Sequence, residues 1–186
     1  MTPHQRLTNW AQSVQEHRIP RYNELPNIDL YMDQVVAVID DYLNVYMRNA
    51  EEQRLTPAMI NNYVKLKLLP APVKKRYNRT HLCHLIIICI LKPVLAIPEI
   101  HELICAQLEH SDIRDVYNAF CDMHEESIRT MLAHLDLPKA ADAAAAPNAA
   151  LHIAVHANAS KMIAERLIDA QKPDDAPEQD KKEKKK

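Results

Sequence analysis

Residues 55–91 read LTPAMINNYVKLKLLPAPVKKRYNRTHLCHLIIICIL, a helix, a short basic loop and a second helix. Thr56 before Pro57 marks the first start, because a threonine hydroxyl accepts from an orphan backbone N–H and proline is tolerated at the first helical position. From there Ala58, Asn61, Asn62 and Lys65 share one face, while Ile60 and Val64, flanked by Met59 and Tyr63, form the other. One face is built to pack and the other is polar. After Leu69 the chain passes Pro70 and Pro72 into Lys74, Lys75, Arg76 and Arg79, with Asn78 offering the next cap. The run from Leu82 to Leu91 is apolar nearly all round, the pattern of a helix at the centre of a core.

Charge is segregated along the chain. Residues 53–92 hold eight Lys or Arg and no Asp or Glu, whereas residues 93–137 hold nine acids against Arg114 and Arg129. A local basic field beside acidic flanks fits a nucleic-acid surface better than the formal net charge of -2 suggests.

The order Thr56, Ile60-Asn61-Asn62-Tyr63, Leu68-Leu69-Pro70, Arg76-Tyr77 and His81-Leu82 resembles the DNA-binding half of MerR-type regulators, in which a recognition helix is followed by a wing and a packing helix. ELPNIDLYMDQV and TPAMINNYVKLKLLPAPVKKRYNR are also similar to a family of uncharacterised bacterial proteins. The first resemblance implies an all-α fold, a MerR-like winged helix-turn-helix followed by a helical C-terminal region. It further implies transcriptional regulation, double-stranded DNA as partner and a homodimer on a two-fold operator. The DNA surface it implies comprises Thr56, Ala58, Asn61, Asn62, Tyr63 and Lys65 on the helix, with Lys74, Lys75, Arg76, Tyr77 and Arg79 on the loop. Where the resembled family places a glycine after the recognition helix this sequence has Lys67, and its wing is a shortened loop containing prolines.

At 186 residues and 47% apolar composition the chain can bury a core. It contains no glycine, against an average near ~7%, which removes the GxGxxG and Walker A phosphate loops. Cys83, Cys89, Cys105 and Cys121 lack CxxC spacing, arguing against a disulfide framework or zinc ribbon and for a cytoplasmic setting. The N-terminus has no apolar signal core, and the apolar run 82–97 is too short for a membrane span.

In chain order, residues 1–26 form a polar N-terminal arm with a short helix. A firm amphipathic helix runs from Asn27 to near Met47, with 48–55 as connection, and the DNA-binding domain extends over 27–95. Residues 96–171 form a helical dimerisation or effector region. It comprises a helix from Pro98, a helix from the Ser111-Asp112 cap burying Ile113, Val116, Tyr117, Phe120, Met123, Ile128 and Leu132, an alanine-rich linker over 138–148 and a last helix over 149–170. That last helix carries Leu151, Val155, Met162, Ile163, Leu167 and Ile168, more apolar surface than a terminal segment buries alone, and is the expected dimer contact. The charged tail 172–186 is expected to be disordered.

His101/Cys105, Cys121/His124 and His152/His156 have chelating spacing, but a metal site needs three or four ligands. These pairs read as ordinary helix residues, and no cofactor is expected. No nucleophile motif, HExxH or paired-carboxylate pattern stands out, so no enzymatic activity is expected. The competing reading is an interaction module that docks an acidic partner through the same helix and basic loop. A docking helix would carry apolar anchors where this one carries Asn61, Asn62 and Lys65.

Overall fold

The computed structural model describes residues 1–47, 54–142 and 144–172. Residues 48–53 of the connection expected over 48–55, and residues 173–186 of the charged tail expected over 172–186, lie outside the described residues. The helices in chain order are α1 (Pro3–Glu16), α2 (Met32–Leu43), α3 (Pro57–Lys65), α4 (Arg79–Leu91), α5 (Ile97–Leu108), α6 (Ile113–Ala133), the single turn α7 (Leu137–Ala140) and α8 (Ala146–Asp169). Tyr22–Glu24 and Asn44–Tyr46 form short 3-10 turns. Among the described residues there is no strand, only two isolated antiparallel bridges, Leu30 with Tyr77 and Val73 with Arg76. The fold is all-α, and no helix of the described residues is long and apolar enough to cross a membrane.

Everything is arranged about α4. Asn78 caps it reciprocally, its Oδ1 accepting from the His81 N–H at 3.3 Å and its own N–H donating to His81 Nδ1 at 3.0 Å. Every residue from His81 to Cys89 is buried, so the helix meets neighbours on all sides: α2, α5 and α6. One core cluster runs from Ile19 to Ile168 and takes in Leu30, Ile60, Tyr63 and Tyr117 on the way.

Local signals set the other starts. Thr56 Oγ1 accepts from Met59 N–H at 3.2 Å ahead of Pro57, Glu99 accepts from Ala96 N–H at 2.7 Å, and Asp112 accepts from Asp115 N–H at 3.0 Å. The amphipathic helix expected from Asn27 begins five residues later, at Met32. Leu30 is drawn into extended backbone instead, exchanging N–H and C=O with Tyr77 at 2.8 and 2.9 Å.

Helix α6 corrects the expected burial. Met123 is 64% exposed, whereas Glu125 is buried. Its inward stripe is Tyr117, Cys121, Glu125 and Leu132, and the reason lies in the N-terminal arm. Arg21 grips Glu125 through both guanidinium termini, Nη1 to Oε1 at 2.7 Å and Nη2 to Oε2 at 2.8 Å, and reaches Asp122 at 2.6 Å. Ile19 N–H donates to the same Glu125 at 3.0 Å, and Tyr117 donates its hydroxyl to Pro20 C=O at 2.7 Å. The expected polar arm is thus fastened to α6, with Ile19 and Leu25 in the core.

Candidate nucleic-acid interface

Helix α3 presents Thr56, Ala58, Asn61, Asn62 and Lys65 to solvent, while Ile60 and Tyr63 point into the core. Its end is a Schellman turn: Leu68 N–H bonds Tyr63 C=O at 2.9 Å and Lys67 N–H bonds Val64 C=O at 3.1 Å. That turn needs a left-handed residue, and Lys67 takes it with φ 61°. The strained residue is fixed from a second direction, because the His101 ring on α5 lies 3.1 Å from the Lys67 carbonyl.

Leu68 and Leu69, buried, then turn the chain into a hairpin. Val73 and Arg76 bridge, Arg76 N–H bonding Val73 C=O at 2.9 Å, with Lys74 at φ 51° and Lys75 at φ 62° between them. Two successive left-handed residues define a type I′ turn, a role ordinarily given to Asn-Gly. The three positive-φ residues found among the described residues are therefore all lysines in the one basic segment. A side chain with a Cβ in this region costs about 1 kcal/mol or more per residue. Lys65, Lys67, Lys74 and Lys75 are all exposed, and none makes a side-chain hydrogen bond or ion pair among the described residues.

The arginines behave differently. Arg76 lies 4.4 Å over the Tyr31 ring and donates Nη2 to its hydroxyl at 2.7 Å, so the base of the hairpin leans on the residue before α2. Arg79 donates Nε to Leu25 C=O at 3.0 Å and sits 5.8 Å over Tyr22. It stitches the arm to the start of α4 and offers little of itself outward. Arg54 pairs with Asp40.

Of the residues implied for the DNA surface, Tyr63 and Tyr77 are placed beneath it: both rings are in the core, and burial pushes both hydroxyl pKa values up. Tyr77 supports the hairpin through its bridge to Leu30 and an edge contact with His81, 5.3 Å between centroids. Thr56, Ala58, Asn61, Asn62, Lys65, Lys74, Lys75 and Arg76 remain on the exposed surface of α3 and the hairpin. Sequence reasoning omitted Lys67 and Tyr31. The signal for Lys67 was present, since a chain without glycine must fill left-handed positions with something else.

The chelating pairs stand apart from this surface. Cys105 Sγ lies 3.7 Å from the His101 ring, Cys121 is buried on α6, and His152 and His156 sit 4.5 Å apart on α8. Among the described residues no three His, Cys, Asp or Glu side chains converge as a metal site.

Residues 20–120 match the family described as Domain of unknown function (DUF1836). No curated protein and no solved structure matches the chain.

Proposed function

The chain belongs to the DUF1836 family, and we propose that it is a sequence-specific DNA-binding regulator that reads duplex DNA with α3 and grips phosphates with the hairpin after it. The observation that carries this reading is the trio Lys67, Lys74 and Lys75. Each occupies a backbone conformation suited to glycine, and each keeps its cation at the surface with no side-chain partner among the described residues. Strain of that kind persists where the surrounding structure holds it and a function uses it.

The order of parts supports the resemblance to MerR-type regulators. A helix with a polar outer face, a left-handed turn, a two-residue hairpin and a buried packing helix follow one another, and Leu30 pairs with Tyr77 at the base of the hairpin. Lys74, Lys75 and Lys67 serve phosphates, Arg76 stiffens the hairpin against Tyr31, and Asn61 and Asn62 carry the amides that match adenine N6 and N7. Lys65 can serve either target. The chemistry required is positioning and readout, with no catalytic group and no cofactor.

Fluorescence anisotropy on a selected duplex and a random one separates the roles. Lys75→Ala weakens both duplexes alike, whereas Asn62→Ala or Asn61→Ala, whichever meets a base, costs about 1–3 kcal/mol on the selected site and little on the random one. Exposed Leu66 and Val73 beside the lysines favour the second reading, an acidic protein partner. Wild-type protein that ignores duplex DNA at low salt would overturn the DNA reading and leave that alternative.

A further inference from the structure

Helix α8 is long and nearly bare. Of its large apolar side chains Ile168 is buried, while Leu151, Val155, Met162, Ile163 and Leu167 are between 57% and 63% exposed. Ala149, Ile153, Ala157 and Ser160 recur at helical spacing and form one wall of a cleft of about 1010 Å³. Met131 and Leu135, at the end of α6, line the opposite side. Ile163 and Leu167 carry the same stripe onward beyond the cleft. The small residues along it allow a second helix to approach at the short end of the usual ~8–10 Å interaxial range.

No part of this sequence is left to cover that surface. Residues 48–53, 143 and 173–186, outside the described residues, contain no Leu, Ile, Val, Met or aromatic side chain. A second copy of α8 has what they lack. Its first stretch, residues 146–160, carries no Asp, Glu, Lys or Arg. Antiparallel copies would lay the charged half, with Lys161, Glu165, Arg166 and Asp169, against that neutral half, so no like charges oppose. The size fits as well. Sixteen residues line the cleft and Ile163 and Leu167 extend it along the same stripe, close to the roughly 20–30 residues per partner of a standard interface.

We propose that the cleft between α6 and α8 receives α8 of a second copy of this chain, the two α8 helices running antiparallel about a two-fold axis near Ala157. Each protomer then supplies both a cleft and a helix, which closes the assembly at two. This inference stands independently of the DNA reading, since it is measured on the full chain without DNA. Light scattering after gel filtration at tens of micromolar should give twice the chain mass of 21.4 kDa. Ala157→Glu, at an exposed position on the stripe, should return the mass to that of one chain while circular dichroism keeps the wild-type helical content. Ala154→Glu, equally exposed but away from the stripe, should leave the dimer intact. Wild-type protein of 21.4 kDa overturns the proposal; a dimer that survives Ala157→Glu overturns it too.

Discussion

Arg21 and Lys67 are both cations on non-helical backbone beside a helix, and the chain treats them in opposite ways. Arg21 is 17% exposed in its side chain and is held by Glu125, Asp122 and the Ile19 carbonyl. Lys67 is exposed, has no side-chain partner among the described residues, and sits at φ 61°. The first charge is consumed in tying the N-terminal arm to α6, so it stabilises the monomer. The second, with Lys74 and Lys75, is left outward on strained backbone, so it costs stability and is available to a partner.

Breaking the consumed charge should have the largest effect. Arg21→Ala leaves Glu125 buried without its counter-charge, and losses of about 3–5 kcal/mol are usual for such a removal. Denaturant unfolding measures it. A loss under about 0.5 kcal/mol, the range of ordinary surface substitutions, would erase the contrast with the lysines.

Acid should act on the interior in two windows. Burial pushes His84 and His124 below their ordinary value of 6.5, against a raising hydrogen bond from His84 to Thr80 C=O at 2.8 Å. The unfolded chain therefore binds more protons than the native one just below 6.5, and stability, complete above that value, falls as pH drops through it. Glu125 follows at lower pH. Burial pushes its carboxyl up, but Arg21 and the Ile19 N–H outweigh this and hold it below 4.5, so its stabilisation is lost as pH falls beneath that value. Urea midpoints taken at decreasing pH should show both losses, and Arg21→Ala should remove most of the second. A flat profile from neutral pH to about pH 3 would contradict the buried imidazoles and the ion pair together.

On the strained side, the sign reverses. Lys67→Gly should raise stability by about 0.5–1 kcal/mol, because glycine takes φ above zero without a Cβ penalty. If instead it destabilises, the lysine is held by interactions within the fold and its availability to a partner fails. The smallest effect belongs to Asn62→Ala, which should change stability by no more than about 0.5 kcal/mol while altering binding.

What was legible in the sequence had local causes. The Thr56-Pro57 and Asp112 starts, the Asn78 cap and the apolar run of α4 each depend on neighbours a few residues away, and each lies where its pattern put it. Glu125 was illegible because CDMHEES reads as a helix surface and the partner that draws the carboxylate inward is Arg21, 104 residues distant. The same long-range contact turns Met123 out to solvent. Of the surface residues, Asn61, Asn62 and Lys65 followed from helical spacing, whereas Tyr63 and Tyr77 came in with the family order and belong to the core beneath. The absence of glycine signalled that other residues must fill the left-handed positions, but nothing local marked Lys67, Lys74 and Lys75 as the ones.

The most direct test of the DNA reading keeps the hairpin and removes its charge. Replacing Lys74→Asn together with Lys75→Gly installs the preferred type I′ pair, so the fold should hold or gain stability while two cations are lost. Anisotropy over a salt series on duplex DNA should then show weaker binding to every sequence, and a salt slope of log affinity smaller by about 1.8, close to 0.9 for each lost phosphate contact. Equal affinity and an equal slope in the double variant, or no binding of duplex DNA by the wild type at low salt, would contradict it.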